Sequence, residues 1–562
     1  MQKLYTPAGE ALVGVPWNVY PRPQLRREDW LCLNGPWDFV HGDTRAVIRV
    51  PFCPESLLSG LGIAVDYGAE MVYRRRFTVP DSWAGKRVLL HFGAVNRIAV
   101  VRVNGSTAAV HDNGYLPFTA DLTERLRPGE NELSVHVVND VSSKHPWGKQ
   151  RIRRGGMWYT PVSGIWQTVW LEAVPVTYIR GLTVRTGLDW AEITAEGVTD
   201  GCVLLGGQEY PLTDGRVRID IEDPVLWSPA RPHLYKFDVV SGEDHVSSYF
   251  ALRTLTTEVI DGVPRLCLNG RPYFFHGVLD QGWWSDGLYT PADPECYEQD
   301  IRTMKALGFN TLRKHVKIEP QQFYYDCDRL GMIVFQDMVN NGRYSYLRDT
   351  LLPTLGLTRR SDLNLHRNST ARRSFVLAME ETVSLLKAHP CICLWTIFNE
   401  GWGQFSADEL TRRLRAWDDT RFICATSGWF HQTDSDVESS HVYFGRLRLG
   451  TRPLPQLLGE FGGYAFRVKQ NSTNPRRTYG YKRFSGREAY LKALRALYEE
   501  QLLPLVPRGL CGAILTQLSD VEDELNGLVT FDRRVKKIKP EEFADLAPRL
   551  RAALDAVPDG TK

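Results

Sequence analysis

Two glutamates close strongly apolar stretches of this sequence. Glu400 ends "CLWTIFNE", and Glu460 lies inside "QLLGEFGGY". A carboxylate at the end of a buried strand is desolvated unless something pairs with it, so its presence calls for a reason. Taken singly, each is more often a helix cap or an arginine partner. Taken together, they could flank one bond of a substrate. One carboxylic acid would protonate a leaving oxygen while the other attacked carbon, which is the chemistry of glycosidic cleavage. Carboxyl groups about 5–5.5 Å apart form a covalent intermediate and retain configuration. Asn399, beside the acid, is placed to donate to a sugar 2-hydroxyl.

The chain around these residues must supply the scaffold. From residue 257 onward, apolar runs alternate with helical periods. Eight strands are expected, at 272–280, 310–315, 332–338, 391–400, 421–429, 439–445, 456–464 and 512–520. Between most of them lie amphipathic helices. Tyr297, Ile301, Met304 and Leu307 share one face, after Asp293-Pro294 and before Gly308. Phe375, Met379, Val383 and Leu386 share another. Ser485 to Glu488 reads as a capping box opening a helix with Leu491, Leu494 and Tyr498. The link between the fifth and sixth strands is too short for a full helix. The pattern predicts a (β/α)8 TIM barrel, whose working residues sit at the C-terminal strand ends. Those ends are Asp280, Arg313 with His315, Asp337, Glu400, Trp429, Tyr443, Glu460 and Asp520. Two long loops, 339–367 and 465–484, rise from the same face. The second holds six Lys or Arg and no acid.

Ahead of the barrel the chain is β-rich, so the protein is multidomain. Residues 1–175 read as a β-sandwich of jelly-roll type. Leu133, Val135 and Val137 alternate with Ser134 and His136, and Asn104-Gly105 marks a hairpin turn. Residues 176–256 read as an immunoglobulin-like β-sandwich, and 257–562 as the barrel. A chain of 562 residues is long enough for several cores. The formal net charge of +2 gives no global field toward nucleic acid or membrane. No stretch has the length of a signal peptide or a membrane span. The ten cysteines show no metal-ligand spacing, and a reduced, cytoplasmic protein is expected. No phosphate loop, serine elbow or zinc motif implies a cofactor or metal.

The segments "TIFNEGWGQF", "LLGEFGGY", "NTLRKH", "GMWYTPVSGIWQTVWLE" and "SDVEDELNGLVTFDRR" resemble glycoside hydrolase family 2, the family of β-galactosidases, β-glucuronidases and β-mannosidases. The resemblance runs over nearly the whole chain. It implies a sugar-binding-like jelly roll, an immunoglobulin-like sandwich and a catalytic barrel, in that order. It implies Glu400 as acid/base, Glu460 as nucleophile and Asn399 as partner of the 2-hydroxyl. Tyr443 resembles the tyrosine that hydrogen-bonds the nucleophile. Arg313 and His315 resemble the arginine and histidine of the second strand, although only Lys314 separates them here. Asp280 would hold sugar hydroxyls or cap a helix. Trp402 would stack on the aglycone, and Trp429 would floor the sugar site.

The expected activity is a retaining, exo-acting β-glycosidase on a β-linked glycoside or oligosaccharide, with Glu460 kept ionised by Arg313 or Tyr443. Uronate-specific members of the family carry an Asn-x-Lys motif after the eighth strand. The matching place here reads Asn526-Gly527-Leu528, which argues for a neutral sugar, galactose first. The basic loop at 465–484 argues the other way unless it is merely solvated. A glucuronidase, mannosidase, xylosidase or arabinosidase stays open, as does an endo-acting enzyme. So does a non-catalytic carbohydrate-binding protein on the same fold, and so does a homo-oligomer.

Overall fold

The computed structural model of the protein describes residues 2–363, 365–474 and 476–555. Positions 364 and 475, in the two long loops, and 556–562, at the end of the expected barrel stretch, lie outside the described residues. Eight parallel strands close into a barrel: β1 (Phe275–Asp280), β2 (Thr311–Lys314), β3 (Ile333–Asp337), β4 (Ile392–Asn399), β5 (Phe422–Gly428), β6 (Glu438–Val442), β7 (Gln456–Gly462) and β8 (Leu510–Thr516). Each falls on an expected strand, with ends shifted by a few residues. Every residue of β4, β7 and β8 is buried, as expected of a parallel sheet covered on both faces.

The outer layer follows the predicted apolar periods. Helix α1 (Glu295–Ala306) buries Tyr297, Ile301 and Met304. Asp293 Oδ1 accepts from the Glu295 N–H at its start, and Gly308, at φ 91°, lets the chain turn away at its end. Helix α2 (Gln321–Leu330) joins β2 to β3. Helix α3 (Ser369–Leu386) is capped by Asn368 and buries Phe375, Met379, Val383 and Leu386. Helices α4 (Ala407–Trp417) and α5 (Arg487–Ala496) follow β4 and β7. Among the described residues no helix joins β5 to β6 or β6 to β7. The capping box expected at Ser485–Glu488 is not formed. Gly486 occupies the N-cap of α5 with extended backbone, and no side chain bonds the first turn.

The N-terminal part is a sandwich of a four-stranded and a six-stranded sheet. Its strand Glu130–Val138 turns Leu133, Val135 and Val137 into the core, and Asn104-Gly105 forms the turn between Ile98–Val103 and Ser106–Asp112 with φ of 50° and 83°. A smaller sandwich follows, with sheets of three and four strands and its own core around Ile193, Val203, Phe237 and Val239.

The first sandwich also reaches the barrel mouth. Trp147 donates its backbone N–H to Asn340 O at 3.1 Å and its Nε1–H to Gly342 O at 3.3 Å. Tyr159 Oη donates to Glu524 Oε2 at 2.5 Å, and Arg154 Nη1 to Glu522 Oε2 at 2.6 Å. Gly148, at φ 62°, makes this approach possible. A Cβ there would lie 2.7 Å from Tyr115 Oη and 3.1 Å from Val316 O, just past β2. Gly148→Val is therefore expected to lift this loop from the mouth. Turnover should fall about 10²-fold from misplacement alone, while the thermal midpoint moves by only a few degrees. Parallel loss of both in calorimetry and assay would show that the contact is merely structural.

Candidate active site

Glu400 lies one residue past the end of β4, and its backbone turns left-handed there, at φ 51°. That conformation costs a non-glycine residue roughly 1–2 kcal/mol. Two hydrogen bonds hold it. The Glu400 N–H donates to Ser427 O at 2.8 Å, and Trp429 Nε1 donates to Glu400 O at 3.0 Å. The apolar strand thus stops where its backbone swings the carboxylate off the sheet and into the mouth.

Glu460 meets it from β7. Glu400 Oε1 lies 2.8 Å from His441 Nδ1, and Glu460 Oε1 lies 3.7 Å from the same nitrogen. Ligand atoms of the three residues all fall within 4.8 Å of one another. Oxygens this close fit a double-displacement pair, with about 5–5.5 Å between carboxyl groups, better than the roughly 6.5–9.5 Å of an inverting pair.

The two carboxylates sit in different surroundings. Arg313 Nη1 donates to Glu460 Oε1 at 3.2 Å, and Tyr443 Oη donates to Glu460 Oε2 at 2.5 Å. Burial alone would raise the Glu460 carboxyl. The His441 ring nitrogen, 3.7 Å from Oε1, and the Arg313 charge overcome it and hold the group at about 2. Glu400 is more exposed, and Tyr443 Oη reaches its Oε1 only at 3.5 Å.

Arg313 organises the rest of the cluster. Its guanidinium also donates to Asp337 Oδ1 at 3.0 Å, to Gly459 O at 3.0 Å and to Asn399 Oδ1 at 2.8 Å. With Oδ1 committed, the Asn399 Nδ2 is left to donate to a ligand. Asp337 Oδ2 holds His315 Nδ1 at 2.7 Å, while His315 Nε2 is buried without a partner. Burial and the Lys149 charge lower the His315 value against the pull of Asp337. A neutral ring thus presents one uncommitted nitrogen.

Three expected roles change. Asp280 neither caps a helix nor stands free for sugar hydroxyls. Lys314 Nζ, directed away from its neighbours on β2, takes Asp280 Oδ2 at 2.6 Å and Glu319 Oε1 at 2.9 Å, and Asp280 Oδ1 accepts from Gly282 N. Trp402 is not an open stacking face. It is buried edge-on against Trp147 and Trp158, both at 5.0 Å, and its Nε1 donates to Gly342 O. Trp429 is buried too, and its indole N–H anchors the Glu400 backbone.

The sequence reading did not find His441. It lies two residues before Tyr443, on the same face of the chain as it leaves β6, so the i, i+2 spacing was the available signal. Nor did that reading weigh Glu524, buried after β8 and bonded by Tyr159 and Asn526, or Lys149. Glu400, His441 and Glu460 form a donor set that could in principle receive a cation. Here their atoms are engaged by Arg313, Tyr443, Ser427 and one another, the pattern of a cluster that handles a proton. A separate cavity of about 480 Å³, walled by Gln167, Trp170 and Arg421 among others, contains none of these residues.

Comparison with known proteins agrees with this fold. Residues 62–199 match the model of the glycosyl hydrolase 2 galactose-binding domain-like family, and 258–449 match that of the glycosyl hydrolases family 2 TIM barrel domain. The second match stops short of Glu460, which the fold itself brings to the site. A β-glucuronidase of Felis catus is 24% identical over 374 residues, 58% of this chain and 54% of that protein. A β-galactosidase of Thermoanaerobacter pseudethanolicus is 25% identical over 345 residues, 55% of this chain and 45% of that protein. The chain thus aligns with about half the length of these curated relatives. The solved β-D-glucuronidase of Dictyoglomus thermophilum superposes with a TM-score of 0.74 at 18% identity, covering 96% of this chain and 99% of that one. With the two family matches together spanning more than half of the sequence, the chain belongs to glycosyl hydrolases family 2.

Proposed function

We propose that the protein is a retaining, exo-acting β-glycosidase that removes the terminal non-reducing sugar of a β-glycoside. The observation that carries this reading is one pair of carboxylates within 4.8 Å, of which Glu460 is held ionised. Glu460 attacks the anomeric carbon as its bond to the aglycone breaks, and Glu400 gives its proton to the leaving oxygen. The ester neutralises Glu460. Glu400, now a carboxylate, takes a proton from the water that opens the ester, and both groups are restored. Asn399 Nδ2 and His315 Nε2 are the uncommitted groups that bind sugar hydroxyls. Residues of both long loops, Tyr344 against Trp158 and Tyr481 against Tyr443, meet the sandwich loop and the strand ends at the mouth, which favours a site for one chain end.

A 2-deoxy-2-fluoro glycoside tests the central step. It is expected to leave a covalent adduct on the peptide carrying Glu460, and the first product seen by NMR should be the β-anomer. An adduct elsewhere, or an α-anomer first, would refute the mechanism. Glu460→Ala should abolish turnover without unfolding the protein. Glu400→Gln should cripple methyl glycosides far more than dinitrophenyl glycosides, since only the former need an acid; equal losses on both would remove Glu400 from that role.

The lowered Glu460 value carries a sign. Held at about 2, this carboxyl is ionised at every working pH, and its proton returns only as pH falls through that value. Arg313→Met removes one of the charges that depress it, so the proton is kept to higher pH. The acid limb of kcat/KM should then move up by about one pH unit, the effect of losing about 1.4 kcal/mol of interaction with the ionised form. An unchanged acid limb would show that Arg313 does not set this ionisation.

For the sugar, a neutral β-galactoside comes first. After β8, Asn526 spends its amide on Glu524 and Gln517, Leu528 is buried, and Lys537 Nζ is taken by Asp520. Neither Asn526 nor Lys537 is thus free to meet a sugar carboxylate. In the 465–484 loop, five of the six cations are exposed. A uronide is the second reading, and Lys149 supports it. This half-buried ammonium has neither hydrogen bond nor ion pair among the described residues, yet its charge acts on Glu460, His315 and Glu524. The names of the relatives include both activities. A panel of nitrophenyl β-galactoside, glucuronide, mannoside and xyloside decides between them. The galactoside should be turned over fastest. Preference for the glucuronide, lost in Lys149→Met, would establish the uronide instead.

A further inference from the structure

His441 has no place in the proposed proton transfer so far beyond its pull on Glu460, yet the site is built around it. Its side chain is fully buried, and the β6–β7 pairing shifts register between Ser440 and His441, which sets His441 opposite Glu460. A register irregularity next to an active site re-aims a side chain. Two glycines clear its space. A Cβ on Gly428 would lie 3.2 Å from His441 Nδ1 and 3.3 Å from Glu400 Cγ. A Cβ on Gly459 would lie 3.1 Å from His441 Nε2 and 2.3 and 2.5 Å from the hydroxyls of Ser439 and Ser427. These hydroxyls are 2.8 Å apart, and Ser427 Oγ is 2.8 Å from Nε2. Arg313 Nη1 also faces Nε2, at 3.4 Å. A guanidinium can only donate, so Nε2 is the acceptor and the ring proton sits on Nδ1, directed at Glu400 Oε1.

We infer that His441 is the positioning residue of the acid/base: its Nδ1–H holds Glu400 Oε1 as an acceptor, so that Oε2 carries the proton to the leaving group. This rests on the two-carboxylate mechanism above. No bond to His441 forms or breaks. As the proton passes from Glu400 Oε2 to the leaving oxygen, the carboxyl becomes a carboxylate, and the hydrogen bond from His441 becomes charge-assisted and roughly twice as strong. An interaction that strengthens as the barrier is climbed lowers the barrier. Glu460 Oε1, farther from the same N–H, receives its own bond from Arg313 and does not compete.

The test compares kcat/KM for a methyl and a dinitrophenyl glycoside in His441→Ala and His441→Asn, with Glu400→Gln alongside. In His441→Ala the methyl glycoside should lose about 10- to 100-fold, the worth of one hydrogen bond to a charged group. The dinitrophenyl glycoside, which needs no acid, should lose less than about threefold. His441→Asn keeps an N–H near the same place and should recover part of the loss. Equal losses on both substrates in the two histidine variants, or none in either, would overturn the role of His441. If Glu400→Gln shows no leaving-group dependence, it is the two-carboxylate mechanism that fails. If Glu400→Gln shows it and the histidine variants do not, only the present inference fails.

Discussion

One buried guanidinium ties the site together. Arg313 stands on β2 and bonds groups contributed by β3, β4 and β7: Asp337, Asn399, Gly459 and Glu460. Burying such a charge costs several kcal/mol unless it is paired, and here two carboxylates pair with it. Arginine suits the task because its planar fork offers five donors in fixed directions. A lysine has the charge but not the geometry. Because one residue reads the ends of several strands, their registers must all be right at once before the two carboxylates can face each other.

The barrel does not complete the site alone. Trp147, Tyr159 and Arg154 of the first sandwich bond barrel residues around the mouth, and Gly148 lets that loop lie flat against the end of β2. These contacts explain why aromatic residues that look like sugar platforms are buried instead. Trp402 packs edge-on against two tryptophans of the sandwich, so its apolar surface seals an interdomain joint.

How far this could be read from sequence follows from what each feature depends on. The eight strands and most helices were legible, because apolar runs and 3.6-residue periods are local signals. Glu400, Glu460, Arg313 and Asn399 were legible because a charged or polar residue ending an apolar strand stands out against its neighbours. Partner choice was not legible. Asp280 goes to Lys314, which the sequence presents merely as a spacer between Arg313 and His315. His441 acquires its place from a register shift and from glycines on β5 and β7, three strands whose alignment no local pattern fixes. The expected capping box at Ser485 failed for a similar reason, since a matching tetrapeptide does not decide whether the chain enters the helix at Ser485 or at Gly486.

The two glutamates are chemically alike, so only their surroundings can give them different tasks. Glu460 has a guanidinium and a tyrosine hydroxyl, groups that favour a carboxylate at all times and suit a nucleophile. Glu400 has a more open setting and the N–H of an imidazole, with no permanent positive charge bonded to it. In the proposed mechanism the acid/base role therefore falls to the carboxyl that Arg313 does not bond. Exchange of Arg313 to the Glu400 side would fix the wrong carboxylate in its ionised form. In the proposed mechanism the division of roles thus comes from which strand end Arg313 reaches, and the pair's short separation becomes useful because that asymmetry is built beneath it.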